Sequence, residues 1–446
     1  MSTAPEGAAN THNPRPNPPL DLLRNQLAFG SDSALFGIGI YFMPLTTVVT
    51  SLAAKLTDDK ALIGAVSLVW YVSYLLPQLF AARVIHGKRR LKPFSVWPSV
   101  LGRPIILLFA LWLYFTGAAS PLLTVWVLLG CIVVFLGFDA FTSIAWFDMM
   151  GRAFSPSGRA RILTVTQLIA GIGGIGAGFI VERVLGSSQF PFPLNYAFLL
   201  FCAWVFYELS LVGMLFIRER VSTQPENTQA AESHFWQKLR AAWQSDPVFR
   251  RLLLARLLTG VENMAAAFYV VFAKEILGLP DSAIGVFTIA YVIGGLLGTA
   301  IFGWLSARFG PRRVVTMACG LQLTAPVLAL IVSFVAIPGT ALVMLGYAAF
   351  VVVMALAGAV NRSTQVGFFS YAQDSAPELD RPMYVGAVSS IAGTAALMPV
   401  LGGLLIDGLT GAGFGAGAYS ALFGLASMFV AVGAFVSLKL PVPRRV

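Results

Sequence analysis

The sequence predicts an all-α membrane protein whose twelve transmembrane helices form two pseudo-symmetric bundles of six. Three observations lead to this prediction: the composition, the length of the apolar runs and an internal repeat. Of the 446 residues, 57% are hydrophobic and only 11% are charged, whereas a soluble domain carries about 25% charged residues. Most of the surface must therefore face something other than water.

The apolar runs are as long as membrane-spanning helices. A transmembrane helix needs roughly 20 mainly apolar residues, whereas a transmembrane strand alternates over about 10. Hydropathy windows of about 19 residues predict twelve helices, near residues 27–54, 61–84, 94–117, 121–147, 162–185, 195–217, 250–274, 283–307, 313–336, 339–361, 383–408 and 415–438.

One long polar connection separates the predicted helices into two groups. We expect a disordered tail over residues 1–26, six-helix bundles over 27–218 and 250–440, a central loop over 219–249 and a short tail over 441–446. Within the central loop, one helical face carries Phe235, Trp236, Leu239 and Trp243. This pattern predicts a short amphipathic helix that lies either in the membrane interface or against the ends of the bundle.

The basic residues predict the orientation of the chain. With the N-terminus in the cytoplasm, most of the 30 Lys and Arg residues fall in cytoplasmic segments, as the positive-inside rule describes. We therefore expect a multi-pass protein of the plasma (inner) membrane with both termini cytoplasmic. The net charge of +10 then reflects topology, so we expect contact with membrane lipid and no nucleic-acid partner.

The two predicted bundles carry an internal repeat. An Ile-Gly pair at 63–64 in the second helix matches one at 284–285 in the eighth, and residues 178–182 in the fifth helix match residues 403–407 in the eleventh. The basic turns that follow the second and eighth helices also match. Because these matches occur in one order at a nearly constant offset, they indicate a duplication.

The turn after the eighth helix resembles the cytoplasmic gating signature of the major facilitator superfamily. The residues that carry this resemblance are Gly303, Arg308, Gly310, Arg312 and Arg313. Ala307 stands where that signature has an aspartate, and Pro311 stands where it has a basic residue. The resemblance covers residues 27–440, and the stretches 76–80, 192–196 and 401–403 resemble a broad bacterial branch of the superfamily.

The resemblance implies the major facilitator fold and the translocation of a small molecule by alternating access. It places the substrate site between the two halves, near the middle of the membrane. It also implies that helices 1, 4, 7 and 10 line the cavity. Arg312 and Arg313 are then expected to close the cytoplasmic side by pairing with the other half.

Four carboxylates inside predicted spans are candidates for function, because ionisable groups in a membrane usually face the protein interior or water. They are Asp32, Asp139, Glu208 and Glu262. The first, fourth and seventh helices hold three of them, and Glu208 lies on a helix that the resemblance makes peripheral. Each could instead serve structure, through a hydrogen bond or an ion pair between helices, and Asp32 could be solvated near a helix end.

Two of these candidates share a helix face with other polar residues, so these two faces could line a cavity. Helical spacing places Asp139 on one face with Thr142 and Ser143, and it places Glu262 on one face with Tyr269, beside Asn263. The candidate substrate or coupling residues are therefore Asp139, Glu262, Asp32, Asn263, Thr142, Ser143 and Tyr269. A carboxyl group in such surroundings could bind and release a proton, which makes protons the candidate coupling ion.

Together these features predict a monomeric secondary transporter of a small, partly hydrophobic solute, and not an enzyme. We expect no cofactor and no metal site, because the three histidines lie far apart and the glycine pattern at 171–176 follows no strand. The alternative is a permease-like factor that delivers a pigment or lipid, or that assists assembly of a membrane complex.

Overall fold

The computed structural model describes residues 19–85, 88–221, 240, 242–335, 342–376 and 381–442. This part of the chain is helical and contains no strand. Twelve helical segments in it are long and apolar enough to cross a membrane. The prediction of an all-α fold with twelve spans is thus confirmed.

The N-terminal half forms the first six spans. Its helices are α1 (Pro19–Phe42), α2 (Thr50–Leu56), α3 (Lys60–Ile85), α4 (Lys92–Gly102), α5 (Pro104–Thr116), α6 (Pro121–Ala153), α7 (Pro156–Leu185) and α8 (Leu194–Leu215). A π-helical turn, Leu45–Val49, joins α1 to α2 within the first span. Helices α4 and α5 form the third span together.

The C-terminal half forms the other six spans. Its helices are α9 (Pro247–Gly260), α10 (Glu262–Ala266), α11 (Tyr269–Glu275), α12 (Ala283–Phe309), α13 (Pro311–Val335), α14 (Leu342–Ser375), α15 (Arg381–Thr394), α16 (Met398–Gly411) and α17 (Gly417–Leu438). The seventh span is broken into α9, α10 and α11, and a short 3₁₀ turn joins α15 to α16 in the eleventh.

The first helix begins earlier than the hydropathy pattern indicates. It starts at Pro19 rather than near residue 27, because proline is favoured in the first turn of a helix. The amide of Asn25 is buried and exchanges hydrogen bonds with the backbone of Arg218. Only residues 1–18 of the expected tail lie outside the described residues, as do most of the predicted amphipathic helix and the end of the C-terminal tail.

The two halves pack against each other through α3 with α16 and through α7 with α12. At the first crossing, Gly64 lies against the backbone of Pro399, and Gly403 lies against the backbone of Lys60. A Cβ atom at either glycine would overlap that backbone. Small residues allow helices in membranes to approach this closely.

The second crossing repeats the first. Gly285 at the start of α12 lies against the backbone of Glu182 in α7, and Gly178 lies against Ile289. Gly178 and Gly285 occupy the positions that the repeat pairs with Gly403 and Gly64. The matched residues thus form the same kind of contact twice.

Candidate functional site

A cavity of about 350 Å³ lies between the two halves. The N-terminal half contributes Thr46, Tyr71, Tyr74 and Leu75, and the C-terminal half contributes the other lining residues. This volume lies in the range of small-molecule sites. The cavity wall is therefore built mainly by one half and completed by α3 and the π-helical turn of the other.

Glu262 is the acidic residue of this wall. It begins α10, directly after the break that ends α9 at Gly260, and only 5% of its surface is exposed. Its Oε1 atom accepts a hydrogen bond from the hydroxyl of Tyr269 over 3.4 Å, which is long for such a bond. The prediction that Glu262, Asn263 and Tyr269 lie together is consistent with this geometry, since all three line the cavity.

Arg256 is the basic residue of the same wall. Its guanidinium carbon lies 5.0 Å from the centre of the Phe368 ring, an attractive arrangement of a cation over a ring. Among the described residues, no carboxylate lies within ion-pair distance of Arg256. The structure therefore does not pair it with Glu262.

The wall also holds three amides, Asn263, Gln322 and Asn361. The Nδ2 atom of Asn263 donates to the carbonyl of Gly260 at 3.1 Å, and the Nε2 atom of Gln322 donates to the carbonyl of Thr259 at 2.9 Å. The Oε1 atom of Gln322 is buried without a hydrogen-bond partner. Sequence reasoning missed Gln322, although a lone amide in the apolar α13 could have pointed to it.

Asp32 and Asp139 do not line the cavity. Asp32 is only 4% exposed, so it is not solvated at a helix end. Its Oδ1 atom lies 3.7 Å from the guanidinium of Arg103, which donates to the carbonyl of Tyr207. Asp32 thus belongs to a buried polar cluster inside the N-terminal half.

The side chains on the predicted polar face of α6 contact different neighbours. Thr142 is buried and shares a hydrogen bond of 3.0 Å with Ser99 of α4, so it joins helices within one half. Ser143 donates to its own helix at Ala140 and lies beside Tyr74, a cavity residue on which Asp139 acts electrostatically. Neither Asp139 nor Thr142 lines the cavity, but the charge of Asp139 acts on the cavity residue Tyr74.

Glu208 forms a hydrogen bond within its own helix. Its Oε1 atom accepts a hydrogen bond of 3.0 Å from the indole of Trp204, one turn earlier in α8. Glu208 is not among the residues that line the cavity. This agrees with the expectation that its helix is peripheral.

The basic turn after α12 makes its contacts inside its own half. Gly310 has a φ angle of 76°, a conformation that glycine adopts readily, and α13 begins directly after it. Arg312 donates to the carbonyl of Leu438 at 3.3 Å, and Arg308 and Arg313 lie over aromatic rings of α12. The expected pairing of Arg312 and Arg313 with the other half is absent among the described contacts.

Ion pairs join the two halves at the opposite end, which we call the closed end. Asp281 accepts from Lys55 at 2.5 Å and from Lys274 at 2.6 Å, and Glu275 accepts from Lys60 at 2.7 Å. Burial favours the neutral form of Asp281, but the hydrogen bonds and charges of Lys274 and Lys55 outweigh it and hold the pKa of Asp281 below its usual range. Asp281 therefore forms ion pairs with one lysine from each half.

The other end, where α1 begins and α12 ends, is the open end. Its ion pairs, such as Asp21 with Arg218 at 2.7 Å and Asp148 with Arg152 at 2.9 Å, each lie within one half. No hydrogen bond or ion pair between two residues of the described ranges is found to join the halves there. Between residues that the structure describes, the bonds that join the halves thus lie at the closed end.

The chain matches the family model of the Major Facilitator Superfamily over residues 33–389 and 252–446, and it therefore belongs to that family of membrane transporters. No curated protein matches the sequence.

Solved transporters share the fold. The nucleoside transporter NupG has a TM-score of 0.66 at 13% identity, over 94% of this chain and 98% of NupG. A bacterial homologue of the iron transporter ferroportin has a TM-score of 0.67 at 16% identity in its inward-facing state, over 95% of this chain and 99% of that one. In its outward-facing state the score is 0.59 at 18% identity, over 94% and 99%.

Proposed function

We propose that this protein is a secondary transporter that carries a small, partly hydrophobic solute across the plasma membrane by alternating access. The observation that supports the proposal is the asymmetry of the cavity. Ion pairs between the halves close one end, and the described bonds at the other end lie within each half. In alternating access, two repeats rock around a central site, and this motion requires two states, each closed at a different end. The arrangement described above corresponds to one of these states.

The distribution of basic residues supports an inward-open orientation. Most Lys and Arg residues of the predicted loops fall at the open end, which makes that end cytoplasmic by the positive-inside rule. The higher TM-score to the inward-facing state of the ferroportin homologue agrees with this orientation. A tag inserted at residue 57 should then be accessible from outside the cell, and a tag at residue 228 only from inside.

The solute site in this proposal is the wall that contains Arg256, Glu262, Asn263 and Tyr269. Protons are the candidate coupling ion, and Asp139 and Asp32 are the candidate carriers outside the cavity. Charge in a membrane span is unfavourable unless water or a partner compensates it. A change of water access to the neighbouring cavity would therefore change the preferred protonation state of a carboxyl group such as Asp139.

Alternating access can be tested without knowledge of the solute. In a chain whose three cysteines are replaced by alanine, Thr288→Cys places a thiol in the closed end, where Thr288 is 1% exposed and bonded to Thr47. Ser389→Cys places one in the cavity. A membrane-impermeant maleimide should label the first position slowly from outside and the second readily from the cytoplasm.

The decisive variant is Asp281→Asn, which weakens the bonds between the halves. It should speed labelling at position 288 and slow labelling at position 389, because opening one end closes the other. Asp21→Asn is the matched control, because Asp21 pairs with Arg218 inside one half and should change neither rate. If the two rates do not respond in opposite directions, a rigid permease-like factor fits better than a transporter.

A further inference from the structure

Two residues of opposite charge line the cavity and form no ion pair with each other. Arg256 and Glu262 are both wall residues, and no ion pair joins them. They are six residues apart in sequence, which corresponds to about 9 Å along a helix, and the break at Val261 lies between them. The cavity thus presents one positive and one negative site at separate positions.

The contacts of Glu262 leave most of its charge uncompensated. A single long hydrogen bond from Tyr269 reaches it, although a buried carboxylate normally needs several close donors. This carboxylate favours a ligand group with several N–H donors, such as an ammonium.

Arg256 offers the opposite chemistry. A guanidinium binds a carboxylate through two parallel hydrogen bonds, and Arg256 is the one basic side chain among the described residues of the wall. A single guanidinium matches a single carboxylate better than a polyanion. The guanidinium of Arg256 lies over the ring of Phe368.

Tyrosines line the same cavity as the two charged residues. The charges of both Glu262 and Arg256 act electrostatically on Tyr71 of α3. Tyr74, Tyr269 and Tyr291 also line the cavity. Aromatic rings pack favourably against other rings in offset or edge-on arrangements, so this wall favours a flat, unsaturated body.

We propose that the cavity binds an aromatic zwitterion, a solute with one carboxylate held by Arg256, one ammonium held by Glu262 and a ring between the tyrosines. The proposal rests on the proposed function, because it assigns a substrate class to the same cavity. It accounts for two charges in membrane-spanning helices that form no ion pair with a described residue, because the solute itself supplies the partner of each.

Three probes that share one ring and differ only in charge test this assignment. They are L-phenylalanine, which carries both charges, 3-phenylpropionate, which carries only the carboxylate, and 2-phenylethylamine, which carries only the ammonium. Binding to the purified full-length chain is measured as the ligand-dependent rise in its unfolding temperature. L-Phenylalanine should bind at least about tenfold more tightly than either single-charge probe.

Two substitutions should invert this selectivity. Arg256→Gln removes the positive site, so L-phenylalanine should lose about tenfold or more in affinity and 2-phenylethylamine should become the better ligand. Glu262→Gln should instead favour 3-phenylpropionate. Glu208→Gln is the control, because it neutralises a span carboxylate outside the cavity and should leave the order of the three probes unchanged.

The outcomes separate this inference from the proposed function. The zwitterion assignment is wrong if the three probes bind with equal affinity or if none of them binds. It is also wrong if Arg256→Gln and Glu262→Gln leave the order of the three affinities unchanged. In those cases opposite labelling responses at positions 288 and 389 would still support a transporter. Tight binding of L-phenylalanine without opposite labelling responses would support the binding site and contradict transport.

Discussion

The carboxylate of Asp407 in α16 accepts hydrogen bonds from the backbone N–H groups of Lys60 at 3.2 Å and of Ala61 at 3.0 Å. These N–H groups begin α3, so a residue of one half caps a helix of the other. In the repeat, Glu182 takes the place of Asp407, and it packs against Gly285 in the first turn of α12. At each crossing an acidic residue of one half thus lies against the start of a helix of the other half, and for Asp407 the carboxylate itself caps that helix, where negative charge is favourable.

Asp407→Ala should loosen the closed end. The first N–H groups of α3 would lose their acceptor, and removal of a helix cap lowers the free energy of unfolding by about 0.5–2 kcal/mol. We expect a lower unfolding temperature and faster labelling of Thr288→Cys from outside. Asp407→Asn keeps an acceptor oxygen and should lie between wild type and Asp407→Ala. An unchanged labelling rate in Asp407→Ala would mean that this cap does not hold the halves together.

Gly64→Ala should shift the protein away from the closed-end contact. A Cβ atom at this position overlaps the carbonyl of Pro399, so α3 and α16 must separate. Gly176→Ala is the matched control, because no atom lies within 4 Å of the added Cβ and alanine favours the helix. We expect Gly64→Ala to speed labelling at position 288 and Gly176→Ala to leave it unchanged. Equal rates in the two variants would contradict the tight crossing.

Acid should release the closed end through Asp281. Its pKa is lower in the folded protein than the usual value of about 3.9, so its ion pairs stabilise the closed end fully above that value. This contribution is lost as the pH falls through the lowered pKa. The Asp281 contribution should therefore be constant between pH 5 and 8 and should disappear in stronger acid.

Spin labels at Asp58→Cys and Thr410→Cys, two exposed positions at the closed end on opposite halves, can measure this release. A longer distance should appear below about pH 4 in a chain that keeps Asp281. Asp281→Asn should show that longer distance already at neutral pH. If Asp281→Asn keeps the short distance at pH 7, the ion pairs with Lys55 and Lys274 do not hold the halves.

The basic turn after α12 should matter for the state in which the cytoplasmic side is closed. In this structure Arg312 donates to the carbonyl of Leu438 in its own half, and under the proposed alternating access it exchanges this partner for one in the other half when the halves approach. Replacing Arg312 and Arg313 together with alanine should increase cytoplasmic labelling of Ser389→Cys. Arg251→Ala, which removes a comparable bond to the carbonyl of Lys439, should not. Equal labelling in both variants would exclude a gate at this turn.

Patterns along the chain predicted the fold well because they depend on local composition. Apolar runs of sufficient length gave the twelve spans, and the repeat pointed to Gly64, Gly178, Gly285 and Gly403 at the crossings. The partners of Lys55 and Lys60 could not be predicted in this way, because they lie more than 200 residues away in sequence. Only the packing of one half on the other brings them together.

Helical spacing was less informative about the site. It placed Asp139 and Thr142 on one face, but adjacent positions on that face contact different neighbours, and Thr142 turns to Ser99 of α4. It grouped Glu262 with Tyr269, which share a hydrogen bond despite the broken helix. Gln322 and Tyr71 come from other helices, so no spacing within the seventh span could reveal them.

Asp139 is the coupling candidate that we would test first. It is half-buried in α6, and it lies within electrostatic reach of the cavity residue Tyr74 and of Arg103. Asparagine is nearly isosteric with aspartate and cannot titrate, so Asp139→Asn removes proton binding with little change in packing. Because charge in a span is unfavourable without water, the protonation of Asp139 should depend on which end of the cavity is open.

The test keeps the labelling side at pH 7 and varies only the pH on the other side of sealed vesicles. If Asp139 binds the coupling proton, a change of cytoplasmic pH should alter the rate at which Thr288→Cys is labelled from outside. Asp139→Asn should abolish this response while the rate itself stays measurable. Glu208→Gln, which removes a carboxylate bonded only within its own helix in the described contacts, should retain it. A full response in Asp139→Asn would exclude Asp139 as the carrier and make Glu262 the next candidate, because Glu262 is the carboxylate that lines the cavity itself.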